Sequence, residues 1–149
     1  MNAYEFKLIR EPVTAYEVCS GNNPEAVASY LYDLGLAECQ QEHFCIIMLD
    51  TRRQILGHSI ITKGLVDRSH VHPREVFKIA IAANSSCILL AHNHPTGDTT
   101  PSKQDLDVTN NLTEVGQLVG IPVIDHIIVG YNLHTHQRNF LSLKETGHI

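Results

Sequence analysis

Hydrophobic and polar positions change period several times along this chain. The run from His43 to Leu49, a polar turn at Asp50-Thr51-Arg52-Arg53 and a second apolar stretch from Gln54 to Ile61 predict a β-hairpin. Its first strand, apolar on both faces, belongs inside a sheet. Upstream, Glu5 to Ile9 reads as a short edge strand. Asn23-Pro24-Glu25 then supplies an N-cap, a proline at the first helical position and an acid in the first turn. Ala26, Val27, Tyr30, Leu31 and Leu34 follow at helical spacing, and Gly35 stops that helix. His72-Pro73-Arg74-Glu75 opens a second helix, with Val76, Phe77, Ile79, Ala80 and Ala83 as its apolar stripe and Asn84-Ser85-Ser86 as its end. Cys87 to Ala91 is a short apolar strand running into His92-Asn93-His94-Pro95. After the loop chemistry of Pro95 to Pro101, Ser102 caps a third helix that turns Leu106, Leu112, Val115, Leu118 and Val119 inward and stops at Gly120. Val123 to Val129 and Phe140 to Leu143 complete the strands. Strands alternating with helices, plus one hairpin, predict a three-layer α/β domain with a mixed sheet.

Composition narrows the function classes. The 149 residues, 43% of them hydrophobic, suffice for one core, and no linker or repeat divides residues 1–149, so a single domain is expected. The most apolar stretch, Ile79 to Ala91, is broken by Asn84, Ser85 and Ser86, well short of the roughly 20 residues that span a bilayer. The first residues show no basic region followed by an apolar one, so the expectation is a cytoplasmic protein without membrane association. A net charge of −5 argues against strong nucleic-acid binding. Cys19, Cys39, Cys45 and Cys87 show no C-x-x-C spacing and read as reduced core thiols.

Ten histidines are many for this length, and two of them alternate at a strand end. His92 and His94, at i and i+2, point to the same side of the strand. Asp105 lies in the first turn of the next helix, close enough through the intervening loop to complete a set of two histidines and a carboxylate with a fourth position open to water. That is the arrangement of catalytic zinc. It also suits Fe(II). Asp105 has a structural reading too, because Ser102-x-x-Asp105 is a capping box. Asp98 and Asp107 lie near enough to stand as alternatives. A hydrolase also needs a base for its attacking water, and Glu38, Glu42 and Glu75 are all candidates on chemistry alone. The length excludes the eight-stranded α/β barrels that carry H-x-H zinc sites, which need about 250 residues.

The segment from His92 to Asp105, His-Asn-His-Pro-Thr-Gly-Asp-Thr-Thr-Pro-Ser-Lys-Gln-Asp, resembles the signature of the RadC-like family, a bacterial branch of the JAMM (MPN+) metalloprotease superfamily. Glu42-His43-Phe44, Val71 to Phe77 and Gly120 to Gly130 add to the match, which covers about residues 37–149. The resemblance implies a JAMM/MPN-like α-β-α domain of cytidine-deaminase-like architecture. It implies one Zn2+ per chain on His92, His94 and Asp105, with Glu42 as the water-activating acid/base and Ser102 helping to stabilise the oxyanion. Hydrolysis of a peptide or isopeptide amide in a peptide or protein substrate follows from it. The other function the family carries is a DNA-repair-associated or protein-interaction scaffold without catalysis. Two departures stand out: Thr96 replaces the usual serine, and Gly64-Leu65-Val66-Asp67 stands where the family often has Gly-Thr-x-Asn. The helix-hairpin-helix region of full-length members is not matched, so a short stand-alone form is expected.

Of the remaining histidines, His126 lies on a buried strand as either a core residue or a second layer behind the metal site. His134 and His136 repeat the H-x-H spacing in a polar loop without a following carboxylate. His43, His58, His70, His72 and His148 read as solvated or capping. Arg74 reads as a surface ion-pair partner or a binder of substrate carboxylate.

Overall fold

The computed structural model describes residues 1–5, 7, 9 and 20–149. The edge strand expected over Glu5 to Ile9 lies partly outside these described residues, and Cys19 lies outside them. The elements are α1 (Pro24–Asp33), β1 (His43–Leu49), β2 (Ile55–Lys63), α2 (Pro73–Ala82), β3 (Cys87–His94), α3 (Lys103–Val119), β4 (Val123–Asn132) and β5 (Gln137–Ser142).

The strands form one sheet in the order β2-β1-β3-β4-β5. β1 is antiparallel to both β2 and β3, β3 is parallel to β4, and β5 is antiparallel to β4. The sheet is mixed, as the alternation of elements requires, because parallel neighbours need a crossover and α3 supplies it. The pleat sorts the core into two halves. Cys45, Ile47, Leu49, Leu89, Ala91, Ile127 and Val129 pack under Val27, Tyr30 and Leu31 of α1. Phe44, Ile46, Met48, Ile88 and Leu90 pack under α2 and α3 through Val76, Phe77, Ala80, Val108 and Leu112. The result is the expected α/β/α layering.

Local chemistry explains where the helices begin and end. The Asn23 side chain accepts from the backbone N–H of Glu25 and Ala26, with Pro24 at the first helical position. α1 ends ahead of Gly35, whose φ of 75° is the left-handed conformation that glycine adopts cheaply. α2 starts at Pro73 after His72, which makes no side-chain cap bond.

The inward face of α3 differs from the sequence expectation. Leu112 is buried and Val115 is packed against the core, but Leu118 is 86% exposed and Val119 43% exposed, and Leu106 is only partly covered. Asp105, Val108, Thr109, Leu112 and Gly116 form the buried stripe instead. The last turn of α3 carries Leu118 and Val119 to the solvent side, while Gly116 is buried against Ile121 and Phe77. A Cβ there would lie 2.6 Å from the Ile121 carbonyl oxygen and 3.3 Å from the Phe77 ring.

That close approach makes Gly116→Ala a test of the packing. In an open helix interior the change would stabilise by about 1 kcal/mol. Here it should destabilise by about 1–3 kcal/mol, because backbone and ring must move to admit the methyl group. The midpoint of urea unfolding checks the sign.

Candidate metal centre

β3 carries the site at its C-terminal end. Strand alternation puts His92 and His94 on the α2/α3 face and Asn93 on the α1 face. His92 is fully buried and His94 is largely covered. Asp105 reaches them from the first turn of α3, whose start is set by a reciprocal cap: Ser102 Oγ accepts from the Asp105 N–H at 3.1 Å, and Asp105 Oδ2 accepts from the Ser102 N–H at 2.8 Å. The capping box and the convergence on the histidines therefore coexist. His94 Nε2 lies 2.9 Å from Asp105 Oδ2, His92 Nε2 lies 3.2 Å from Oδ1, and the two Nε2 atoms are 2.9 Å apart.

These side chains suit a metal ion. His94 Nδ1 sits 2.7 Å from the Asp98 carbonyl oxygen, which can only accept, so Nδ1 carries a hydrogen and the neutral ring presents a bare Nε2. That lone pair faces a carboxylate and a second imidazole. Ligand atoms around a tetrahedral ion at about 2.0–2.1 Å stand roughly 3.3 Å apart, close to the spacing here. Burial opposes charge on His94, but the Asp105 carboxylate, the Asp98 carbonyl and the charge of Glu42 outweigh it and raise its pKa. Burial likewise works against the Asp105 carboxylate, and hydrogen bonding to His92 and His94 overrides it, holding the group well below the usual carboxylate range. His126, fully buried, is pushed well below the usual histidine pKa by desolvation.

Glu42 arrives by strand register. β1 pairs Phe44 with His92, and Glu42 lies two residues before Phe44, just ahead of β1, where the same register continued would lead to His94. Its Oε2 accepts from the Val66 N–H at 3.2 Å, and its carbonyl accepts from the Gly64 N–H at 2.7 Å. The Val66 contact comes from the backbone, so the departure at Gly64-Leu65-Val66-Asp67 leaves it in place.

The other candidates lie elsewhere. Glu38 pairs with Arg138 at 2.7 Å, and Glu75 holds Lys78 at 2.6 Å on the outer face of α2. The Asp98 carboxylate caps Thr100 through its N–H and hydroxyl, while Asp107 is exposed outside the His92, His94 and Asp105 group. The Arg74 side chain is 84% exposed, with its Nε 3.9 Å from Glu75. His134 and His136 occupy the β4–β5 turn, where His136 meets the Tyr131 hydroxyl. His58 corrects the expectation of a solvated or capping residue: it is partly covered on β2, with its Nδ1 2.8 Å from the Tyr30 hydroxyl. Cys45 and Cys87 are buried free thiols, as expected, and burial pushes the Cys45 thiol up to about 12.

Two features lie beyond the sequence reading, and for His126, which the sequence leaves as either a core residue or a second layer behind the metal site, the structure supplies the partner. Asn93, fully buried, accepts from the His43 N–H at 2.7 Å and donates to the carbonyls of Cys39 at 3.1 Å and Gln41 at 3.0 Å. It thereby clamps the segment that carries Glu42 to the strand that carries the histidines. Gly97, at φ 85°, packs the His94–Asp105 loop onto β4 so closely that a Cβ would lie 2.7 Å from the Tyr131 carbonyl oxygen, and Asn139 donates to the Gly97 carbonyl at 3.0 Å. His126 approaches His92, with Nε2 2.7 Å from His92 Nδ1. The alternation at Asn93 was the available signal for the first.

Comparison with known proteins decides the family. Residues 21–148 match the RadC-like JAB domain. The chain belongs to that family. Its relatives include UPF0758 proteins of Bacillus cereus, 46% identical over 127 residues, and of Desulfitobacterium hafniense, 44% identical over 126 residues. Another, from Bacillus mycoides, is 44% identical over 127 residues. Each alignment covers 85% of this chain and 52–53% of the relative, so the chain spans about half the length of these curated relatives. This RadC-like JAB domain thus places two histidines and an aspartate where they could hold a metal ion, in keeping with a family related to JAMM metalloproteases. No helix among the described residues is long and apolar enough to cross a membrane.

The Asn93 clamp yields a stability test for the RadC-like domain. Asn93→Ala strips partners from two carbonyls and an N–H, and should cost about 1–3 kcal/mol in urea unfolding. Wild-type stability in the variant would remove the clamp from the account.

Proposed function

We propose that this chain is a zinc-dependent amide hydrolase of JAMM type, acting on a peptide or isopeptide bond in a peptide or protein substrate. The observation that supports this best is the convergence of His92, His94 and Asp105 at the end of β3, with Glu42 two residues before Phe44, the β1 partner of His92. His92, His94 and Asp105 hold the zinc, one per chain. When bound, zinc polarises the scissile carbonyl and acidifies a water.

The remaining steps fall to this chain's own side chains. Glu42, with Oε2 held by the Val66 N–H, takes the proton of the attacking water on its other oxygen and passes it to the leaving amine. Ser102 accepts from the Asp105 N–H with one lone pair, which leaves its O–H hydrogen free to donate to the negative charge developing on the carbonyl oxygen. Ser102 is exposed at the start of α3, so a substrate in solution can reach that donor.

Three proteins test the reading: wild type, Glu42→Gln and His94→Ala, each assayed for zinc content and for cleavage of peptide and isopeptide-linked substrates. Glu42→Gln should keep about one zinc per chain and lose roughly 10²–10⁴-fold in rate, and His94→Ala should lose the zinc. Undiminished cleavage by Glu42→Gln would remove Glu42 as the base. A wild type that takes up no zinc when zinc is offered would overturn the hydrolase reading in favour of a scaffold.

A further inference from the structure

The geometry points to a tautomer relay behind the metal centre, in which Thr109 and His126 are positioning residues that keep the His92 proton on Nδ1 and turn its Nε2 lone pair toward the ion. This rests on the metal-site reading above and adds two residues to it, Thr109 from α3, which also carries Asp105, and His126 from β4.

The direction of the relay follows from hydrogen counting. The Thr109 hydroxyl lies 2.7 Å from the Asp105 carbonyl oxygen and 2.6 Å from His126 Nδ1, and all three residues are buried. A carbonyl oxygen only accepts, so the single hydroxyl hydrogen of Thr109 goes to Asp105. The contact to His126 Nδ1 is then made only if that nitrogen donates. A neutral His126 with hydrogen on Nδ1 has a bare Nε2, and this atom lies 2.7 Å from His92 Nδ1. His92 Nδ1 must therefore donate, which leaves His92 Nε2 without a hydrogen. Reversing the chain would set the Thr109 oxygen against the Asp105 carbonyl oxygen at 2.7 Å with no hydrogen between them. Phe44 packs edge-on against His126, with ring centroids 5.7 Å apart. The relay begins at the backbone of Asp105, whose side chain is the carboxylate of the site. One residue thus supplies a ligand and orients another.

Zinc affinity of the whole chain, measured by competition with a chromogenic chelator, tests this away from any substrate. The Thr109 hydroxyl bonds to the Asp105 backbone carbonyl and to His126, not to a ligand side chain. Thr109→Val removes the acceptor that His126 Nδ1 requires, frees the proton to move to Nε2 and opposes the His92 donor. It should weaken zinc binding about 10-fold, at the lower end of what loss of a ligand's hydrogen-bond partner costs. Thr109→Ser restores the hydroxyl and should bind within about twofold of wild type, a rescue that lost packing would not give. Imidazole nitrogen NMR of the zinc-loaded wild type should show the His126 proton on Nδ1, shifted toward Nε2 in Thr109→Val. A folded Thr109→Val with wild-type affinity, a Thr109→Ser as weak as the valine variant, or a wild-type His126 protonated on Nε2 would each overturn the relay while leaving the metal site standing. Failure of the wild type to bind zinc would overturn both.

Discussion

Asp105 must satisfy two demands with one carboxylate, and the local geometry follows from that constraint. It closes the N-terminus of α3 by accepting from the Ser102 N–H, and the same oxygen lies 2.9 Å from His94 Nε2. A helix that began one residue earlier or later would turn Asp105 about 100° around the axis and away from the histidines. The start of α3 is therefore a property of the site as much as of the fold. Val108, Leu112 and Gly116 carry that start into the core by seating the helix on β4 and α2. Two bare imidazole nitrogens and a carboxylate this close repel one another unless a cation or shared protons lie among them.

The pleat of β3 distributes the rest. Its even-numbered positions at the C-terminal end face the ligand side, and Asn93 faces the other way, gripping Cys39, Gln41 and His43. Ligand strand and Glu42 segment are thus joined by side-chain bonds in addition to the β1–β3 ladder. The loop from Pro95 to Pro101 is pinned at Gly97 against β4, which places the Asp98 carbonyl to orient His94. Four separate segments meet here, and each is fixed by a backbone-directed hydrogen bond, so little conformational entropy remains to be lost when an ion binds.

Much of this was legible in the sequence, for identifiable reasons. Caps and breakers are local chemistry, so Asn23-Pro24, Ser102 with Asp105, and Gly120 marked helix ends that the structure reproduces. The His43–Leu49 run, apolar on both faces, placed β1 inside the sheet, where it lies between β2 and β3. What local pattern could not supply was pairing across the chain. Glu38, Glu42 and Glu75 are equivalent as carboxylates, and only the register of Phe44 with His92 singles out Glu42, two residues before the paired position; the family resemblance pointed to it without that register. The Thr109–His126 connection depends likewise on how α3 lies over β4. Leu118 and Val119 look inward on a helical wheel, yet the core ends before the last turn of α3.

The measurement closest to the central claim is the zinc K-edge X-ray absorption spectrum of the zinc-loaded chain. Two imidazoles and a carboxylate predict a first shell of nitrogen and oxygen at about 2.0–2.1 Å, with the outer scattering of two histidine rings. A sulfur shell near about 2.3 Å, or a spectrum lacking histidine scattering, would contradict it, because the ion would then be held by thiols or by other groups.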